Sequence, residues 1–156
     1  MVYPSSYKAG FVFQKSDKEN GSSFLIGADY TTEKWSEYKF FGQADSVQDS
    51  WLVNLGTQFT PRPQSNYFSN VSYRFGLFAG RDYIKVQNNL PLFGASLGVA
   101  LPIRPSRYAP QQFTAVNLGI EYMKRGNNNN LLKENLFRVS LGLSLTDLWF
   151  GKRKYD

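Results

Sequence analysis

The sequence predicts an all-β chain of about seven antiparallel strands that form part of a transmembrane β-barrel. Three observations point there. Side-chain polarity alternates with a period of two along most of the chain. Turn chemistry cuts it into segments of roughly ten residues or more, the length that crosses a bilayer as a tilted strand. The polar face of the alternation is rich in glycine.

Successive side chains of a strand point to opposite faces, so alternation means one dry face and one wet. Residues 49–61 set Trp51, Val53, Leu55 and Phe59 against Asn54, Gly56, Gln58 and Thr60. Residues 112–123 set Val116, Leu118, Ile120 and Tyr122 against Ala115, Asn117, Gly119 and Glu121. Residues 135–148 set Phe137, Val139, Leu141, Leu143 and Leu145 against Arg138, Ser140, Gly142, Ser144 and Thr146.

The first strand is expected over residues 7–15, with Tyr7, Ala9, Phe11 and Phe13 dry, followed by a turn at 16–21. The second covers 22–35, with Phe24, Ile26, Ala28 and Tyr30 dry, before a loop at 36–48. The third covers 51–61 and turns at 62–65, where Pro61 and Pro63 cannot continue a ladder. The fourth covers 67–82, with Val71, Tyr73, Phe75 and Leu77 dry, then a loop at 83–91. The fifth covers 92–104, with Phe93, Ala95, Leu97, Val99, Leu101 and Ile103 dry, then a turn at 105–110. The sixth and seventh flank 125–133, whose asparagine run suits a solvated loop.

The connections after strands one, three and five read as compact, and those after two, four and six as longer. Bacterial barrels have short periplasmic turns and longer outer loops. That assigns 16–21, 62–65, 105–110 and the C-terminus to the periplasm, and the N-terminus to the outside. Seven antiparallel strands leave the first and last parallel, whereas complete bacterial barrels have an even number. Open edges are not tolerated in lipid. Residues 1–156 are therefore expected to be an incomplete barrel domain, the C-terminal part of a longer chain. The same expectation accounts for the missing export signal after Met1.

Alternation alone does not say which face is outside, because a soluble β-barrel binding protein alternates just as cleanly. Two features favour lipid. Gly10, Gly27, Gly56, Gly76, Gly94, Gly98, Gly119 and Gly142 crowd the wet face, where a solvent-exposed sheet prefers larger polar residues. Trp35, Tyr38, Phe40, Phe41, Tyr67, Tyr83, Tyr108, Trp149 and Phe150 gather near strand ends, as interfacial girdles do. No stretch approaches the roughly 18 apolar residues of a spanning helix. The net charge of +6 is spread over polar faces and turns, apart from Lys152, Arg153 and Lys154, so nucleic acid is not an expected partner.

The chain has no histidine and no cysteine. That excludes Ser–His and Cys–His nucleophile pairs and His-ligated metals. The run from Gly94 to Gly98 lies inside a strand and not before a helix, so it is no phosphate loop. No enzyme activity, cofactor or metal is expected. The residues expected to line a lumen are Lys8, Asp29, Arg74, Phe78, Glu121 and Arg138, all on the glycine face. The charged ones should pair or bond to a plug, since an unpaired charge in a narrow lumen is costly. Val12, Leu25 and Phe78 interrupt this face with apolar surface, which suits packing on a plug better than a cargo path. Trp149 and Phe150, near the end of the last strand, resemble the signal that the barrel-assembly machinery reads during biogenesis.

Several short segments carry a resemblance. They are Ala28-Asp29-Tyr30 with Trp35, Gly80-Arg81-Asp82-Tyr83-Ile84, Leu101-Pro102-Ile103-Arg104, Arg125-Gly126-Asn127, and Trp149-Phe150 with Lys152-Arg153-Lys154-Tyr155. In this order they resemble the C-terminal half of FadL/TodX-type outer-membrane transporters. The resemblance implies a fourteen-stranded barrel, plugged by an N-terminal hatch, in the outer membrane of a Gram-negative cell. It implies transport of a hydrophobic small molecule, with membrane lipid around the barrel. The hatch and early strands are not in this sequence, so the family's ligand-binding residues do not carry over. The alternative is a structural or assembly-associated outer-membrane barrel without transport.

Overall fold

The computed structural model describes residues 2–17, 19–40, 43–44, 47–86, 88–103, 113–126 and 132–146. The main strands are β1 (Ser6–Ser16), β2 (Ser23–Glu33), β5 (Ser50–Thr60), β6 (Ser72–Val86), β7 (Asn88–Ile103), β8 (Phe113–Arg125) and β9 (Glu134–Thr146). Two-residue strands β3 (Lys39–Phe40) and β4 (Gln43–Ala44) pair within the connection between β2 and β5. The seven long strands form one sheet in the order β1-β2-β5-β6-β7-β8-β9, each antiparallel to the next. Among the described residues no ladder joins β1 to β9, so the sheet is open.

The register holds the alternation together across the sheet. One row runs Val12, Gly27, Gly56, Gly76, Ser96, Glu121, Arg138 from β1 to β9. The next row on the opposite face runs Phe13, Ile26, Thr57, Phe75, Leu97, Ile120, Val139. A slip of one residue in any pair would send that strand's apolar side chains to the glycine face.

A two-layer domain covers its apolar sheet face with another element. Here nothing does. Among the described residues only Val71, Leu90, Ala100 and Ala115 are buried apolar residues, whereas Leu97 is 53% exposed, Phe137 68% and Leu141 77%. A contiguous apolar surface of this extent marks an interface with lipid or protein.

The structure departs from the sequence expectation at two connections. The turn at 62–65 continues to residue 71. The Asn66 side chain accepts a hydrogen bond from the Phe68 N–H at 3.3 Å and starts the 3₁₀ turn Tyr67–Asn70. Val71, expected on the dry face, follows that turn and is buried. The loop expected at 83–91 is instead a hairpin extension, with β6 and β7 running to Val86 and from Asn88. Between the pairs Arg81–Pro91 and Lys85–Asn89, three residues of β6 face only Leu90, a bulge that breaks the alternation. Gln48 Nε2 donates to the carbonyls of Asp82 at 3.0 Å and Ile84 at 3.3 Å, so this irregular backbone finds partners. Loop length therefore no longer sorts the two ends as expected, because the connection after the fourth long strand is tight and the one before it is long. Residues 105–110 and 127–130 and the tail with Trp149 and Phe150 lie outside the described residues.

Candidate functional site: the glycine face

Chain parity puts every charged strand residue expected to line a lumen on one face. Lys8 on β1 reaches Asp29 on β2, with Nζ 3.9 Å from Oδ1. Asn54 on β5 donates to the same Oδ1 at 2.7 Å, so the carboxylate is held from both sides. On β8 and β9, Arg138 Nη1 lies 3.5 Å from Glu121 Oε1. Lys8 and Arg138 are mostly exposed, so each pair contributes no more than about 1 kcal/mol.

Arg74 on β6 behaves differently. Its Nε donates to Gln58 Oε1 at 2.9 Å and its Nη1 to Asn117 Oδ1 at 3.1 Å. Asn117 passes the chain on to Ser144 Oγ at 2.8 Å. Neutral acceptors thus fix the guanidinium, and among the described residues no carboxylate pairs with it. Phe78 lies against Gly94 of the neighbouring strand, filling the space that a side chain there would take. With Val12 and Leu25 it gives this face an apolar component. Gly27, Gly56 and Gly76 form the floor of a shallow groove of about 520 Å³ that Asp29 and Arg74 border.

A cluster that sequence reasoning missed sits at the end where β2 leads into β3. Arg125 on β8 pairs with Glu134 on β9 at 3.2 Å and with Asp82 of the bulge, reaching over β7. The Asp82 contact is an ion pair without hydrogen-bond alignment at Nε. Asp82 and Arg125 are 12% and 18% exposed, which makes this the least hydrated charge cluster described. Gly126, at φ 79°, turns the chain after it and donates its N–H to the Pro91 carbonyl at 2.8 Å. Trp35 stacks on Tyr83 at 4.7 Å and ties the β2–β5 connection to the same hairpin. The sequence signal was available. Asp82, Arg125 and Glu134 share the glycine-face parity and one end of their strands.

The opposite face carries no carboxylate on the seven long strands before the bulge, and its charged residues are Lys15, Arg81 and Lys124, all near strand ends. Among the described residues no three potential metal ligands cluster. What the arrangement can do is present a hydrated, hydrogen-bonding surface on one side and, on the other, an apolar surface without carboxylates whose few cations lie near strand ends.

These features define an open, two-faced antiparallel sheet protein whose strand carboxylates are sorted to one side. The chain belongs to the BamG family, whose model matches residues 1–156. That membership associates it with the outer membrane and the barrel-assembly machinery. Neither curated proteins nor solved structures include a match.

Proposed function

We propose that this chain is the lipid-spanning part of an outer-membrane β-barrel that works with the barrel-assembly machinery in a structural or accessory role. One observation carries the reading. Across seven strands, one face is apolar, free of carboxylates and charged only near strand ends, while the carboxylates and glycines share the other. In water such a face would aggregate; in a bilayer its solvent is already present. The β6–β7 hairpin, paired out to Val86 and Asn88, lies at the same end as the β2–β5 connection, and this hairpin extension rather than loop length suits the outer side. Among the described residues β1 and β9 each pair on one side only, which in lipid calls for partner strands, as in the fourteen-stranded arrangement that the FadL/TodX resemblance implies. Trp149 and Phe150 belong to this reading as an assembly signal.

Transport of a hydrophobic molecule is the second reading, favoured by Val12, Leu25 and Phe78 beside the glycine floor. One experiment separates the two. The protein is depleted in its host, and the levels of other folded barrels are followed by heat-modifiable migration. Co-purification with the assembly machinery is assayed alongside. The accessory reading expects co-purification and a general fall in folded barrels. Unchanged barrel levels with slower uptake of a hydrophobic substrate would replace it with transport.

A further inference from the structure

On the glycine face of the long strands the cations are Lys8, Arg74, Arg125 and Arg138. Among the described residues Lys8, Arg125 and Arg138 each meet a carboxylate, and Arg74 meets none. Every carboxylate of that face is already engaged. Asp29 takes Lys8 and Asn54, and Glu121 takes Arg138. Asp82 and Glu134 take Arg125, and Glu33 accepts from the Trp35 indole N–H at 2.7 Å. Glu33, Asp82 and Glu134 also lie far from Arg74. The register puts them six or more residues further along the sheet. That is about 20 Å at roughly 3.3 Å per residue, well beyond a screening length of about 8 Å.

The guanidinium is held as well as unpaired. The Arg74 side chain lies over Gly98 of β7, with its Cβ 3.6 Å from where a Cβ of Gly98 would stand. Gln58 anchors Nε and Asn117 anchors Nη1, and Asn117 is itself bonded to Ser144. Among the described residues Nη2 has no acceptor. The fork is thus oriented at the border of two shallow grooves, of about 520 Å³ on the Asp29 side and about 420 Å³ on the Glu121 side. From this charge placement and geometry we propose that Arg74 is a carboxylate-binding site. The inference rests on the reading that the glycine face lines a barrel interior, and it names a ligand class for that interior. A cation without a counter-ion is costly in a confined lumen. A carboxylate meeting Nη2 and the second hydrogen of Nη1 gains charge-assisted hydrogen bonds from a planar donor set that is already oriented. One excess cation between the Lys8–Asp29 and Glu121–Arg138 pairs suits a monoanion. The carboxylate belongs to a small solute or to an acidic side chain of a polypeptide in the lumen, and its chemistry at Arg74 is the same.

The test uses the full chain folded in lipid nanodiscs. The Nε–Hε NMR signal of Arg74, assigned by its loss in Arg74→Gln, is followed while sodium acetate replaces sodium chloride at constant ionic strength. It should shift and saturate, while the signals of Arg125 and Arg138 stay in place. Asn117→Ala, which frees one side of the guanidinium, should weaken acetate binding by about threefold to tenfold. Acetate should raise the midpoint of heat-modifiable migration over chloride in the wild type and not in Arg74→Gln. Acetyl-Gly-Glu-Gly-amide and its glutamine counterpart are then titrated in the same way. Tighter binding of the glutamate peptide than of acetate assigns the site to a polypeptide, and equal or weaker binding assigns it to a solute. A glutamine peptide that binds as well as the glutamate peptide overturns the carboxylate assignment. An Arg74 signal that does not saturate, or equal shifts at Arg125 and Arg138, overturns the site and leaves the lumen reading standing. A spin label on the lipid tails that broadens the Arg74 signal as strongly as the Leu97 amide overturns both.

Discussion

Phe78 and Gly94 are cross-strand partners, and the ring of one occupies the place where the other would carry a side chain. A Cβ at Gly94 would fall inside contact with the Phe78 ring and with the Tyr122 carbonyl of β8. The ring can turn away, but the carbonyl belongs to the ladder and cannot. Gly94→Ala should therefore destabilise the sheet by about 1–3 kcal/mol. Phe78→Ala added to it should recover only part of the loss. Urea unfolding in lipid vesicles, with Ser96→Ala as control, measures this. Full recovery in the double variant would place the conflict in the ring alone.

Leu97 and Ser96 are chain neighbours that face opposite ways. Leu97 is 53% exposed in the row with Phe75 and Ile120, and Ser96 sits between Gly76 and Glu121. An arginine on a lipid face near mid-bilayer costs about 2–4 kcal/mol, and on a lumen face much less. Leu97→Arg should impair folding into vesicles far more than Ser96→Arg. Equal effects, or the reverse order, would falsify the assignment of faces.

The alternation made these faces legible before any coordinates, because strand geometry forces neighbours apart. It also placed Lys8, Asp29, Arg74, Phe78, Glu121 and Arg138 together. Partner choice was less legible. Arg74 took Gln58 and Asn117 rather than an acid, and Arg125 took partners on β6 and β9, a choice set by sheet register. The hairpin extension was hidden by the Asp82–Ile84 bulge, which interrupts the period of two where β6 and β7 continue. The turn at Asn66 was missed because its cap depends on one side-chain oxygen meeting one N–H.

Arg125 holds two acids from different strands, so its loss should loosen the whole end of the sheet. Arg125→Gln should cost about 2–3 kcal/mol, below the 3–5 of a fully buried pair because the cluster is partly hydrated. Adding Asp82→Asn should restore part of that, since it removes the stranded charge. Hydrogen exchange at 82–91 and 125–134 should rise in the single variant. Exchange confined to 125–126 would show that the cluster does not clamp the hairpin.

The β1–β2 turn should respond to acid. Asn20's side-chain amide, then the Asn20 and Glu19 N–H groups, bind the Asp17 carboxylate and hold it below the usual range. A carboxyl depressed in the folded state supports the turn above its unfolded value of about 3.9, and that support is lost as pH falls further through the folded value. Hydrogen exchange at residues 19–22 should be constant from neutral pH down to about 4 once corrected for intrinsic rates, and faster below it. Asp17→Asn should remove the pH dependence. A transition that persists in Asp17→Asn would assign it to another group.

Sorting by parity has a consequence for how such a chain travels. Read along the backbone, each greasy residue is diluted by a polar neighbour, and no run is long enough for a spanning helix to form from it. A sorting system that measures hydrophobicity in continuous stretches would let this chain pass. Read across the ladder, the same residues collect into one uninterrupted oily wall. The sequence therefore conceals its preferred solvent until its strands have paired.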